Sequence, residues 1–202
     1  MYRKYFKRLI DIILSGMGLI VLSWLFLILI IAIKVTSPGP ILFKQKRIGK
    51  DRQNFQIYKF RSMRIDTPDV PTHLLENPDQ WITSIGKILR KSSLDELPQL
   101  INIFKGDMSI IGPRPALWSQ NNLADERDKY GANTILPGLT GLAQISGRDE
   151  LSILTKSKLD GKYVENITFL GDFKLFFGTF VSVLSADGVA EGANKKNSNE
   201  KK

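Results

Sequence analysis

The stretch LIDIILSGMGLIVLSWLFLILIIAI, residues 9 to 33, carries a single charge, Asp11. Read as a helix, it exceeds the roughly 20 apolar residues that cross a bilayer. It is too long for a secretory leader, and no small-residue cleavage site follows it. The expectation is a membrane-associated helix. Basic residues flank both ends: Arg3, Lys4, Lys7 and Arg8 before it, and from Lys34 to Arg64 nine Lys or Arg against one acid, Asp51. Short flanks rich in Lys and Arg stay on the cytoplasmic side. A helix that dips into one leaflet and returns satisfies both flanks, whereas a single span satisfies one, and the residues leave both topologies open. A returning helix needs a break, for which Gly16, Gly18 and Ser23 are the candidates. A serine hydroxyl can bond to the carbonyl of the preceding turn and bend a helix.

The remaining chain is long enough for one domain with its own core, in a total of 202 residues. Cysteine is absent, which excludes disulfides, thiolate zinc sites and a cysteine nucleophile. The one histidine, His73, lies in the polar loop of residues 66 to 81, so a Ser-His-Asp triad is not expected. A net charge of +9 points to an anionic partner: nucleic acid, a phosphorylated small molecule or a lipid headgroup.

After the turn TSPGP come ILFKQKRIG and FQIYKFRSM, separated by GKDRQN, which reads as a basic β-hairpin. Its lysines would also suit anionic headgroups. ITSIGKILRKS reads as a short amphipathic helix, and the following LDEL segment as a helix running to about Phe104, with Pro98 near its first turn. Ser93-Leu94-Asp95-Glu96 has the spacing of a capping box, and its two acids suit the positive end of a helix dipole. Gly112-Pro113-Arg114-Pro115 is a stiff loop presenting one guanidinium, either for bidentate phosphate binding or as a simple turn. QNNLADERDKYGAN reads as a polar helix with a solvated face. In LPGLTGLAQISGRDEL the glycines would let backbone approach a phosphate, with Arg148 adding charge, although no Walker or dinucleotide pattern is present. Near the C-terminus Phe169, Phe173, Phe176, Phe177, Phe180 and Leu184 recur at helical spacing, with Asp172 and Lys174 off the stripe. Such a stripe suits a core or an interfacial helix. Residues 188–202 are too polar to fold.

The order of SPGPILFKQKRIG, IYKFRSM, LDELPQL, GDMSIIGPRP, PGLTGLAQISGR and LDGKYVENITFL resembles the bacterial monotopic phosphoglycosyl transferases, the bacterial sugar transferase group, in its small catalytic form. The resemblance implies an α/β fold, mostly helical with a small β-hairpin. It divides the chain into a membrane segment at 1–36 with a re-entrant helix, a catalytic domain at 37–187 on the cytoplasmic face of the bacterial inner membrane, and the tail. It also implies transfer of a sugar-1-phosphate from a UDP-sugar to polyprenyl phosphate with release of UMP. Magnesium and a catalytic dyad, Asp95 and Glu96, belong to this expectation. Asp95 would attack the sugar-side phosphorus, and a carboxylate at a helix N-terminus stays ionised for that task. Glu96 would bind the metal or accept a proton. Arg114, braced by Pro113 and Pro115, together with Lys59, Arg90 and Arg148, would contact phosphate or nucleotide. Asp160 would bind metal or hold a basic residue.

Expected partners are the UDP-sugar, polyprenyl phosphate, membrane lipids and downstream glycosyltransferases, with no nucleic acid. Neither the sugar, the pathway nor the oligomeric state is readable. Three positions depart from the resemblance: Trp24 follows Ser23 where proline is common, Leu136 stands for an arginine, and Leu142 stands for a tryptophan and reads as packing. The competing reading is a non-enzymatic, membrane-anchored basic binding or scaffold protein.

Overall fold

A computed structural model describes residues 1–68, 75, 77–147 and 151–185. His73, Arg148 and the polar tail lie outside the described residues. The chain opens with a wide helical turn, Tyr2–Phe6, that runs into α1, Lys7–Val21. Helix α2 spans Ser23–Thr36 and leads into an antiparallel hairpin of β1, Leu42–Ile48, and β2, Asn54–Phe60. Then come α3, Ser84–Lys91, and α4, Gln99–Lys105. Next are β3, Ser109–Ile111, α5, Asn121–Asp128, and β4, Gly138–Thr140. The short α6, Leu142–Ile145, precedes α7, Ile153–Glu165, and α8, Phe169–Ser185. The fold is thus mostly helical with two two-stranded sheets. The hairpin was expected; the parallel pairing of β3 with β4 was not.

No described single helix is long and apolar enough to cross a membrane; the apolar stretch is instead two helices bent by 61°. The break falls at Leu22 (φ −91°, ψ +6°), one residue before Ser23. Gly16 and Gly18, the other break candidates, sit within α1 and do different work. A Cβ at Gly16 would lie 3.3 Å from the Phe104 ring, and one at Gly18 would lie 3.2 Å from the Leu100 side chain. They let α4 pack closely on α1. The bend arises because the two halves dock on different bodies. α1 is drawn to α4 and β3, where Asp11 accepts a hydrogen bond from Ile110 N–H at 3.0 Å. α2 buries Leu29 and Ile33 against Phe60 and Leu89. Its exit is tied by Arg61, whose guanidinium donates to the carbonyls of Pro38 (2.8 Å) and Ser37 (2.7 Å).

The main core gathers Ile57, Ile103, Met108, Ile110, Ile111, Tyr163 and Leu175, with Leu142 packed at its edge as the sequence suggested. On α8 the expected aromatic stripe is split, with Phe176 packed against the main core. Phe169, Phe173 and Phe177 are exposed, whereas Asp172 is buried and accepts from Tyr2 Oη, Lys7 Nζ and Tyr163 Oη at 2.7–2.8 Å. Pairing three donors with one carboxylate turns Asp172 inward beside Leu175 and Phe176, while Lys174 stays exposed. The side chains of Phe180 and Leu184 lie outside the described set. The polar helix expected over residues 120 to 133 forms as α5 with its solvated face, Asn121, Asn122, Asp125 and Asp128 being exposed, while its other side buries Arg127, Leu123 and Ala124.

One side chain completes the hairpin. Asn102 of α4, fully buried, accepts from Tyr58 N–H at 2.9 Å and donates to Gln56 C=O at 2.7 Å, standing in for a third strand on the outer edge of β2. Removing it leaves two backbone groups unpaired, at about 1–3 kcal/mol each. Asn102→Ala is therefore expected to cost about 2–4 kcal/mol in denaturant unfolding, more than a truncation of the exposed Asn121.

Candidate active site

Helix α3 begins at Thr83, whose hydroxyl accepts from Gly86 N–H at 3.0 Å, and ends at Ser92. The chain then reverses at Ser93, which adopts a left-handed conformation (φ 56°), and enters a single 3-10 turn, Leu94–Glu96. The expected capping box does not form: no side chain caps this turn, and the helix proper starts later, at Gln99. A positive φ at a serine costs about 1–2 kcal/mol. Leu94 and Leu97 anchor the turn by packing against the α2 cluster. This leaves Asp95 and Glu96 facing the hairpin rather than capping anything.

Lys59 reaches the pair from β2. It lies on the strand face that carries Ile57, because side chains alternate along a strand. Its ammonium donates to Glu96 Oε1 at 2.7 Å and lies 3.6 Å from Asp95 Oδ2. Arg114 reaches from the opposite side, with Nη2 donating to the same Glu96 oxygen at 2.7 Å. The charge of Arg90, at the end of α3, also acts on Asp95. The structure therefore brings together Asp95, Glu96, Lys59, Arg90 and Arg114.

The loop carrying Arg114 is fixed from three directions. Gly112, Pro113, Pro115 and Ala116 are buried while Arg114 projects. Gly112 N–H donates to Thr140 C=O, and Gly138 N–H to Pro113 C=O, both at 2.8 Å. A Cβ on Gly138 would lie 2.1 Å from Gly112 N, and one on Gly141 would lie 2.2 Å from Gly112 O. Gly138 and Gly141 of PGLTG thus admit the Gly112 backbone, a close approach that accounts for these two glycines. From α5, Arg127 donates to Arg114 C=O at 2.8 Å and pairs with Asp160 of α7 at 2.7 and 2.8 Å, both ends of that pair being buried. Asp160 holds a basic residue in place and stands outside the carboxylate pair. Arg127 was missed in the sequence because an acid-rich helix reads as solvated. Arg47, which donates to Pro115 C=O at 3.0 Å, was missed because it sits among many hairpin cations.

The two acids differ electrostatically. Burial pushes the Asp95 carboxyl up, and Lys59 offsets only part of that rise. The expectation of an acid kept ionised by a helix end is therefore corrected: Asp95 is a buried carboxyl relying on Lys59 and Arg90. For Glu96 burial also acts upward, but the charges and hydrogen bonds of Arg114 and Lys59 together hold it well below the usual range. Glu96 thus adds stability that is complete above its unfolded value of about 4.3 and fades as pH falls. Asp95 does the reverse, costing stability while ionised and losing that cost on protonation.

Among the described residues no cluster of three or more His, Cys, Asp or Glu could hold a metal alone. Mg2+ commonly takes one or two carboxylates and completes its shell with water and substrate phosphates. Asp95 and Glu96 fit that requirement, in competition with Lys59 for the same oxygens.

The bacterial sugar transferase family model matches residues 2–186. The chain belongs to this family. Similar members include the exopolysaccharide production protein ExoY of Sinorhizobium fredii, 38% identical across 90% of this chain and 87% of that protein. The uncharacterized sugar transferase EpsL of Bacillus subtilis is 39% identical across 92% and 90%. The undecaprenyl-phosphate galactose phosphotransferase of Salmonella typhimurium is 39% identical across 92% of this chain, which spans 42% of that longer protein. The small family members thus match nearly end to end, and the longer one over less than half its length.

The charge arrangement is directly testable. The Asp95 carboxyl should titrate above the ordinary aspartate value of about 3.9, read by 13C NMR of labelled aspartate. Lys59→Met, which removes the largest influence lowering it, should move that titration further up.

Proposed function

We propose that this protein transfers a sugar-1-phosphate from a UDP-sugar to undecaprenyl phosphate, the first membrane step of a bacterial glycan. The observation that carries the reading is the asymmetry of the acid pair: Glu96 is engaged at 2.7 Å by two cations through one oxygen, while Asp95 pairs with Lys59, among the described residues, at the longer distance of 3.6 Å. That leaves Asp95 as the nucleophile and Glu96 as the group that gathers cations around it. The names of relatives support the reaction class. They include undecaprenyl-phosphate galactose, N-acetylgalactosamine and glucose phosphotransferases.

In this mechanism an Asp95 oxygen attacks the sugar-side phosphorus of the diphosphate. The bond to the bridging oxygen breaks, and UMP leaves with that electron pair. A phosphate oxygen of the lipid then attacks the aspartyl phosphosugar, and Asp95 departs as a carboxylate. Lys59 and Arg114 hold charge as it builds on the phosphoryl oxygens. No histidine base is required, because carboxylate and phosphate are already anionic nucleophiles. Asp95 and Glu96 would also hold magnesium with the diphosphate, and the ion would supply charge neutralisation.

The reading extends to the membrane. Helix α2, at 14 residues, is about 21 Å long, short of a hydrocarbon core of about 30 Å. Ile20, Val21 and Trp24 are exposed around the bend, and the exposed face of α8 is aromatic. Both features suit a helix pair that enters one leaflet and returns, with α8 in the headgroup layer. The catalytic face would then lie at the cytoplasmic surface of the inner membrane.

The test is UMP release by the purified protein in nanodiscs, with magnesium, undecaprenyl phosphate and a panel of UDP-sugars. Wild type should release UMP from one or two donors, and Asp95→Asn should lower the rate by at least about 10³-fold while remaining folded. Turnover by Asp95→Asn near the wild-type rate would remove the covalent mechanism. Silence across the panel, with no label transferred to Asp95, would leave a non-catalytic binding or scaffold protein.

A further inference from the structure

A small cavity beside the acid pair is lined by Arg47, Ile57, Lys59, Gln99, Arg114 and Pro115. Two of its donors have no acceptor among the described residues. Gln99 is 1% exposed, and its Nε2 is buried without a hydrogen-bond partner. Arg47 Nε is buried in the same state, although Nη1 donates to Pro115 C=O at 3.0 Å and Nη2 to Gln45 Oε1 at 2.7 Å. A buried donor left unmatched costs about 1–3 kcal/mol, so two lining one cavity call for an explanation. Arg47 also lacks a carboxylate partner among its hydrogen bonds. Burial together with the like charge of Arg114 pushes its guanidinium down to about 10, with Glu96 offsetting only part of that fall. Three cations thus converge on a cavity whose nearest anions are Asp95 and Glu96, and of these Glu96 is already shared by Lys59 and Arg114.

We infer that Arg47 and Gln99 form a phosphoryl-oxygen subsite next to the Asp95–Glu96 pair. Gln99 Nε2 and Arg47 Nε both donate to an anionic oxygen that enters the cavity between Lys59 and Arg114. The ligand class is a phosphate ester or inorganic phosphate, whose oxygens accept from several donors at once. The cavity is too small for a sugar or a base, so only phosphoryl oxygens enter it. This inference rests on the transferase reading in one respect: the phosphate belongs either to the UDP-sugar, leaving as UMP, or to the incoming lipid phosphate. Arg47 serves through Nε, which a lysine lacks, while its Nη1 holds the Pro115 carbonyl and its Nη2 the Gln45 side chain. Gln99 serves through a side chain that is buried at the first residue of α4.

The test is equilibrium binding by the full-length protein in nanodiscs at constant magnesium, which needs no turnover. The probes are UMP, uridine, inorganic phosphate and a short-chain polyprenyl phosphate. Wild type should bind UMP at least tenfold more tightly than uridine. Gln99→Leu, which keeps the volume and removes the donor, should weaken UMP or the lipid phosphate at least tenfold and leave uridine unchanged. Arg47→Lys should do the same with charge retained. Weakening of UMP assigns the subsite to the donor, of the lipid phosphate to the acceptor, and of both to a shared position. Should Arg47→Lys unfold, Gln99→Leu decides. If Gln99→Leu binds every phosphate probe as wild type does, the cavity holds water and the subsite is refuted. Phosphate binding that depends on Gln99, in a protein releasing no UMP from any donor, would keep the subsite and remove the transferase reading.

Discussion

Two adjacent carboxylates withdrawn from water repel each other and lose hydration, and the fold is organised around relieving that pair. Asp95 and Glu96 sit on one 3-10 turn. The cations that offset them come from distant parts of the chain: Lys59 from the hairpin and Arg114 from the loop after β3. Each cation is useful only where its backbone is immobile. The hairpin is therefore completed by Asn102, and the Arg114 loop is held by Gly138, Arg47 and the Arg127–Asp160 pair. A buried ion pair such as Arg127–Asp160 adds little net stability against an apolar replacement, but breaking it costs about 3–5 kcal/mol. What it adds here is position, at the carbonyl of the residue that grips Glu96.

Much of the basic charge is spent inside the molecule. Arg8 donates to the carbonyls of Ile103 and Phe104 at the end of α4, at 2.6 and 2.9 Å. Lys7 pairs with Asp172, and Arg61 ties down the exit of α2. A net charge of +9 thus overstates what is offered to outside partners. The flanking cations that suggest membrane topology from the sequence are thus partly structural, with Lys7, Arg8 and Arg61 matched to a buried acid or a helix end.

The hairpin was legible because its apolar residues are dense and a polar turn separates them, and the α3 amphipathic pattern was legible for the same reason. The acid pair was legible as a feature, though not as a conformation. Ser93 at positive φ overrides the S-x-x-E spacing, because Leu94 and Leu97 are held by α2, which is remote in sequence. The parallel pair β3–β4 was hidden by length, since three-residue strands carry no period. The PGLTG glycines admit a neighbouring backbone where a ligand was expected, because close approach leaves the same mark on a sequence whatever approaches. Asp172 shows the limit of hydrophobic stripes. Phe169, Phe173 and Phe177 point outward and Phe176 inward, because Asp172 on the inner side has three donors waiting for it.

The bent apolar segment has a bearing on how such a chain can be divided. Asp11 is the acceptor for Ile110 N–H, Arg8 for α4 is the terminal cap, and Lys7 with Tyr2 satisfies Asp172. Gly16 and Gly18 receive Phe104 and Leu100, and Leu29 and Ile33 close a core of their own. Cutting the chain after Thr36 to obtain a water-soluble remainder would expose those seams and orphan a buried carboxylate, a backbone donor and two carbonyls in one stroke. The greasy leader is therefore not a detachable tether but one wall of the enzyme, and a fragment without it would be an unfinished protein.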